Sequence, residues 1–511
     1  VFTPFFNSAF WDQQSVLLAD VDRIEVISGP GGTLWGANAV NGVINVITRS
    51  SAATQGGLVD VQAGDFLQQG ALRYGTRIGD KGFVRAYVQG FGQGHTYLAN
   101  GADARDDWQG GQTGFRADWD TAGGAFVLQG DAYHNRIDTP SGQRSGGNLL
   151  GRWGTRLSGQ SHVEVQAYYD QQDRRDNAAA GAPGYVIERV RTFDLQAQQT
   201  LDLGAHQAVW GLGHRAWEDR FVNAINPFVL DPESQSVSLS NVYAQDTYAV
   251  RDDLKLTAGV KLEYSSFSGW AVMPSVRAGW QATSRDFVWG AVSRAVRPPS
   301  RLERDLTFPG LFGPSPEFTT EKLIAYEAGW RAQLAPRATA AVSVFYNDYS
   351  DLRTTSLDLT SLPGRFANDL EGHTYGVEAW TNFSVLPRWR IDLGGTLLHK
   401  DFHLKPGAVD VAGVQTVLGH DPAHQWFVRS YLDLPGNTQL YVDVRRIGAL
   451  GDVGVPGYVE ADLRAAWQLS RDFEVSLAGQ NLLHARHAEA SQPPIAEIPR
   501  QAYLGLRWTF R

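Results

Sequence analysis

The stretch "GPGGTLWGANAV", Gly29 to Val40, concentrates glycine as a phosphate-cradling loop would. Such a loop needs a lysine and a hydroxyl residue directly after its last glycine, and a dinucleotide site needs G-x-G-x-x-G at a strand-to-helix junction. Neither pattern is met. Gly29, Gly31, Gly32 and Gly36 instead read as turn glycines that let backbone pack closely, with "TLWGANA" a short helix and "GVINVITR" a strand buried on both faces. Histidines pair in "LLHARH" (His484, His487) and "GHDPAH" (His420, His424), but two lone histidines beside a Pro-containing loop read as solvated side chains, not metal ligands. No G-x-S-x-G occurs, so no nucleophile elbow is present, and the absence of cysteine removes thiolate catalysis, disulfides and cysteine-held zinc or iron–sulfur centres. Neither an enzyme nor a resident cofactor or metal is expected.

The elements around these residues carry more information. The 511 residues hold 55 Gly, 16 Trp, 18 Tyr and 24 Phe, with a net charge of −9. A basic stripe is lacking, which argues against a nucleic-acid partner. No apolar run approaches the ~18 residues of a membrane helix. From Leu58 onward the signal has period two. In "LKLTAGVKLEY", Leu254, Leu256, Ala258, Val260, Leu262 and Tyr264 alternate with Lys255, Thr257, Gly259, Lys261 and Glu263. "YVEADLRAAWQL" and "HVEVQAYYD" repeat the pattern, each a strand with one apolar and one polar face.

Connections alternate between two kinds. Short turns such as "LGAH" (Leu203 to His206), "RDD" (Arg251 to Asp253) and "PGN" (Pro435 to Asn437) are rich in turn formers. Between them run long loops: 171–190, 218–236, 296–321, 349–373, 400–424 and 484–499. Short turns at one end and long loops at the other is the asymmetry of an outer-membrane barrel, and about ten turns with about eleven loops join about 22 strands, a size whose lumen is plugged. The fold expected is an all-β membrane protein: an antiparallel transmembrane β-barrel over residues 56–511, with both ends periplasmic, preceded by residues 1–55. Tyr168, Tyr169, Tyr264, Trp330, Trp380 and Trp508 stand near strand ends, where aromatic girdles lie.

"DRIEVISGPGGTLWGANAVNGVINVITR", Asp22 to Arg49, resembles the end of the plug domain of TonB-dependent outer-membrane receptors. "SRAVRPPSRLERD" (Ser293 to Asp305), "YEAGWRAQL" with "SVFYNDYSDL" (Tyr326 to Leu352), and "GQNLLHARH" with "IPRQAYLGLRWTF" (Gly479 to Phe510) agree with that family across almost the whole chain. The resemblance implies an α+β plug in the lumen and uptake, driven through TonB, of a scarce metal complex. A ferric siderophore ranks first, then cobalamin, then haem, and a passive porin-like channel is the rival of another class. It further implies a monomer in the outer membrane of a Gram-negative bacterium, among its lipid and lipopolysaccharide. Two departures stand out. The part before Leu58 is about a third of the family's plug and lacks the TonB-contacting box, so residues 1–55 are expected to be only the C-terminal part of a plug. Phe510 is followed by Arg511 where the family ends on an aromatic.

Within this frame "FTPFFNSAFW" resembles an apical plug loop, making Phe5, Phe6, Asn7 and Trp11 candidates for stacking and hydrogen bonding to ligand, with packing on the wall as the alternative. Arg297, Arg301 and Arg304 could attract an anionic chelate, and His95, Tyr97 and Trp108 could line the mouth. Arg23, Glu25 and Arg49 are expected to pair with inward charges such as Glu263, Glu378, Asp443 or Arg464.

Overall fold

A computed structural model describes residues 3–6, 8–138, 141–177, 186–222, 229–356, 362–410, 420–489 and 496–510. Twenty-two strands form one closed antiparallel barrel, from Gly56–Gly64 to Gln501–Phe510. The ring closes where the last strand pairs with the first, Phe510 opposite Gly57 and Tyr503 opposite Gly64. Closure is what the surroundings demand, because an unpaired edge in hydrocarbon would strand backbone amides and carbonyls without water. Gly57 is needed at this seam: a Cβ there would stand 2.2 Å from the Phe510 ring.

Burial is inverted relative to a water-soluble protein. In Leu254–Ser265 the exposed large apolar side chains are Leu256, Val260, Leu262 and Tyr264, whereas Lys261 and Glu263 are each 4% exposed; Lys255, beside the turn, is exposed. Tyr458–Gln468 behaves likewise, with Leu463 and Trp467 outward and Glu460 fully buried. Apolar side chains therefore form the outer surface and charged ones line the bore, as the period-two pattern requires. Among the described residues no helix is long and apolar enough to cross a membrane.

The short turns fall where expected, at 204–205, 252–253, 336–337, 387–388 and 435–437. Several of the long loops are shorter than expected, because the strands run on into them, whereas 298–320 and 481–500 remain long connections between barrel strands. Ser161–Asn177 and Val186–Leu203 consume most of 171–190, and Ala338–Ser356 and Arg365–Leu386 most of 349–373. Charge pairs hold these overhangs together: Arg189 Nε lies 2.5 Å from Asp173 across the strands, and Arg174 binds Asp176 at 2.8 Å along one strand. Polar composition reads as loop, but in water a polar ribbon can continue a ladder as well as an apolar one. Of the girdle aromatics, Tyr169, Tyr264, Trp330, Trp380 and Trp508 are exposed on the outer surface. Tyr168 points into the bore, as its parity with Asp170 dictates.

Ahead of the barrel, Val21–Ser28 and Gly42–Thr48 pair as an antiparallel hairpin, Ile24 opposite Val46 and Val26 opposite Ile44, with a short helix Gly32–Trp35 in the connection. The second strand is not buried on both faces. Ile44 and Val46 are 57% and 43% exposed, since it has one neighbour and no layer over that face among the described residues. Replacing outward Val260 with Arg should destabilise the barrel by about 2–4 kcal/mol if it lies near mid-bilayer, and Lys261→Gln on the inner face should cost less; reversible unfolding from lipid vesicles measures both.

Candidate functional site

The segment 3–54 is fastened to the inner wall by acids meeting arginines. Asp20 accepts from Arg73 Nη1 at 2.6 Å and pairs with Arg85 Nε at 2.8 Å, all three side chains under a tenth exposed. Asp12 sits between Arg144 Nε, 2.8 Å, and Arg174 Nη1, 3.0 Å. Further hydrogen bonds extend the attachment: Thr33 donates to the Met273 carbonyl (3.0 Å), Lys261 Nζ to the Leu34 carbonyl (2.9 Å), and Ser51 Oγ to Asp118 (2.6 Å). Gly36, at φ +86°, brings backbone so close to Glu263 that a Cβ would lie 2.9 Å from its Oε2.

This is not the pairing expected from sequence. Arg23 binds Asp22 and Glu25, both at 2.8 Å, and Glu25 also accepts from Asn45, so these charges are satisfied within the exposed hairpin. Hydrogen bonds from Arg23 and Asn45 hold the Glu25 carboxyl below its ordinary range. Arg49 touches the wall through its carbonyl, which accepts from Arg85, and not through its guanidinium. Among the described residues, Glu263 is the one proposed wall partner that meets the segment. Asp443 belongs to Arg429 and Arg464 to Glu474.

A strap crosses from the loop end. Ser300 caps the five-residue helix Arg301–Asp305 in a reciprocal box with Glu303. The Arg301 and Leu302 amides donate to the Pro4 and Phe5 carbonyls at 2.9 and 2.8 Å. Phe5 stacks on Phe221 at 5.6 Å, and Thr3 donates to Glu188. Arg301 is fully buried, bound to Asp219 and Asp305 at 2.8 Å and to the Pro232 carbonyl, so it is a strut with no surface left for a ligand. Burial pushes the Asp305 carboxyl up and Arg301 pulls it back. Arg304 donates to the Phe267 carbonyl and lies over that ring.

Beside the strap lies a cavity of about 680 Å³, walled by Phe6, Asn38, Val40 and Asn41 of the segment and by Arg297, Glu321, Lys322, Tyr349, Arg353, Thr374, Lys400, Phe402 and Asp421 of the barrel. Its cations outnumber its acids and share carboxylates. Arg297 and Arg353 both bind Glu303, and Lys322 shares Asp351 with Lys405. Asn38 Oδ1 is buried without a hydrogen-bond partner among the described residues. The arrangement can hold an anionic, ring-bearing solute by charge-assisted hydrogen bonds and stacking.

The candidate residues thus separate. Phe6 and Arg297 reach the cavity, and Phe5 packs on the wall. Trp11 is 67% exposed, and Asn7 lies outside the described residues. His95 (3.0 Å from Asp103), Tyr97 (under Arg486) and Trp108 (edge-on to Phe91) occupy another sector. His484 and His487 are not both solvated: His487 is buried between Glu460 and Glu489. Tyr349 and Arg353 went unread because irregular pairing between Tyr349 and Thr354, with Asp351 at φ +61°, breaks the alternation on which parity depends. Asp20→Ala would leave Arg73 and Arg85 buried without their acid; a loss of about 3–5 kcal/mol is expected, read as earlier proteolytic release of segment 3–54.

A family model for the β-barrel of TonB-dependent receptor-like proteins matches residues 55–482. The vitamin B12 transporter BtuB of Vibrio vulnificus is 26% identical over 362 residues, 65% of this chain and 55% of that protein. The iron-regulated outer membrane virulence protein of Vibrio cholerae is 22% identical over 443 residues, 75% and 63%. The chain thus spans between about half and two thirds of the length of these curated relatives. Among solved structures, the siderophore receptor PirA of Pseudomonas aeruginosa superposes with a TM-score of 0.78 at 16% identity, covering 99% of this chain and 89% of that one. The FrpB iron transporter of Neisseria meningitidis gives 0.82 at 13%, covering 96% and 88%. With the matching model spanning most of its length, the chain belongs to the TonB-dependent receptors, a family of receptors and transporters and not of enzymes.

Proposed function

We propose that this chain forms the barrel and part of the inner stopper of a Gram-negative outer-membrane importer for a scarce metal complex, a ferric siderophore by preference, energised through TonB. Residues 1–55 are assigned to the stopper and 56–511 to the barrel. The single observation that carries the cargo class is the cavity between segment and wall, where Arg297, Lys322, Arg353 and Lys400 stand with Phe6, Tyr349 and Phe402. Cations beside aromatic rings suit an anionic chelate with planar groups. A bore of about 22 strands would leak if empty, so a folded occupant is needed. Salt bridges such as those of Asp12 and Asp20 suit that occupant, because water can replace them when it moves.

Cobalamin is the second reading, favoured by the 26% identity to a vitamin B12 transporter. The test is binding of radiolabelled catecholate and hydroxamate ferric siderophores, cobalamin and haem to the detergent-folded chain, with single-channel conductance alongside. Ferric siderophore should bind saturably, and Phe6→Ala with Arg353→Ala should weaken it about tenfold, ~1.4 kcal/mol. Binding of cobalamin or haem alone would replace the cargo, and steady conductance without saturable binding would make the chain a porin.

A further inference from the structure

We propose that Glu460, His484 and His487 form a proton-operated clasp on a flap at the loop end of the barrel, closed in acid and released as the medium turns alkaline. The inference rests on the barrel and its loops, not on the cargo. The flap is a three-stranded antiparallel sheet in which Ala496–Pro499 pairs with Arg486–Ala488 on one side and with Tyr97–Leu98 on the other. It joins loop 481–500 to loop 94–107, and so spans strands Gln501–Phe510, Gly56–Gly64 and Leu67–Ile78, where the ring closes. Among the described residues its buried apolar packing is slight: Ala488 meets Leu450, Val455 and Val453. Charge therefore has a large share in holding it.

The acid beneath the flap lacks the kind of partner that comparable acids have. Glu460 is fully buried, yet Arg445, directly opposite on the ladder, is spent on Asp462 at 2.8 Å, Asn481 at 2.6 Å and Glu489 at 3.3 Å. Among the described residues no guanidinium or ammonium pairs with Glu460, whereas the comparably buried Asp219 holds Arg301, and Glu303 holds Arg297 and Arg353. What reaches Glu460 is the Ala461 and Leu483 amides, on Oε2, and two imidazoles that converge on Oε1, His484 Nδ1 at 2.6 Å and His487 Nδ1 at 3.5 Å. His487 is buried beside the Tyr458 ring, its Nε2 lies 2.8 Å from Glu489, and its Nδ1 has no hydrogen-bond partner. A neutral imidazole donates through one nitrogen only, so serving Glu489 turns a lone pair toward Glu460; imidazolium serves both acids. Glu460, Asp462 and Glu489 thus stand around one guanidinium, and the cluster becomes neutral only when His484 and His487 both carry a proton. Arg486 and Glu497 fall on the opposite face of the flap by alternation. Histidine is the side chain that gains charge between about pH 8 and 5, where ordinary carboxyls are already ionised. Losing those protons leaves buried carboxylate that hydration must relieve, and hydration requires residues 483–487 to lift. The hold is therefore strongest in acid and is lost as pH rises.

The test uses the detergent-folded chain, with folding checked by heat-modifiable migration and with EDTA present so that only the proton concentration varies. The chain has no cysteine, so Ala485→Cys, exposed between the two histidines, takes a single nitroxide spin label. The mobile fraction of its spectrum should rise roughly threefold between about pH 5.5 and about pH 8.5. In the same labelled background E460Q, which needs no counter-charge, should keep the flap held at both pH values, and H484Q/H487Q should leave it mobile at both. H95Q, beside Asp103 on the neighbouring loop but outside the clasp, should respond as the parent does. If the double variant fails to fold, H484Q alone, at a half-exposed position, should at least halve the response. An unchanged parent spectrum across this range, a full response in folded E460Q or H484Q, or its loss in H95Q would overturn the clasp. No chelate is added, so the outcome is independent of the cargo.

Discussion

Closure of the backbone hydrogen-bond ladder, strand Gln501–Phe510 onto strand Gly56–Gly64, is the constraint on which the rest of the molecule depends. In hydrocarbon no water can satisfy a free edge, so the sheet must return to its beginning. Once it does, every residue faces either lipid or bore, and the alternation of side chains becomes a partition between two solvents. That is why Val260 and Leu262 are exposed while Lys261 and Glu263 between and beside them are buried. An even number of strands also brings both ends of the ring to the short-turn rim, so the segment before Gly56 enters from that side.

A polar bore creates its own requirement. Buried arginines such as Arg73, Arg85 and Arg144 need acids, and removing either member of such a pair leaves an uncompensated charge. The N-terminal segment supplies Asp12 and Asp20, and the Arg301 strap ties Pro4 and Phe5 to the far rim through Asp219. The segment is therefore held at two levels, by the Asp20 ion pairs low in the bore and by the Asp12 ion pairs and backbone hydrogen bonds under the loops. Where it does not meet the wall, the cavity opens.

The cations around the cavity are held by carboxylates that several of them share. Arg297 and Arg353 share Glu303, and Lys322 and Lys405 share Asp351, while Arg297 also binds Glu321 and Lys400 binds Asp421. Shared acids leave cationic charge available to a solute without leaving any one cation wholly unpaired.

Much of the fold was legible in the chain itself. Period two over "LKLTAGVKLEY" required a sheet with unlike faces, and turn formers at "RDD", "LPR" and "PGN" marked one rim, because both signals are local and repeat in every hairpin. Strand ends at Arg174–Asp176 and Arg189 were not legible, since polar residues in water look alike whether paired in a ladder or looped. The site was legible only at Phe6 and Arg297. Arg23 and Glu25 were read as wall contacts from charge alone, but only the tertiary structure decided that they satisfy each other while Asp20 reaches Arg73, 53 residues away. Which acid meets which arginine depends on where the N-terminal segment comes to rest in the ring, and no spacing along the chain encodes that. The sequence by itself determined that the barrel has an inside; the docked segment and its strap decided which inward side chains remain open to a ligand, because the cavity is the space their packing leaves over.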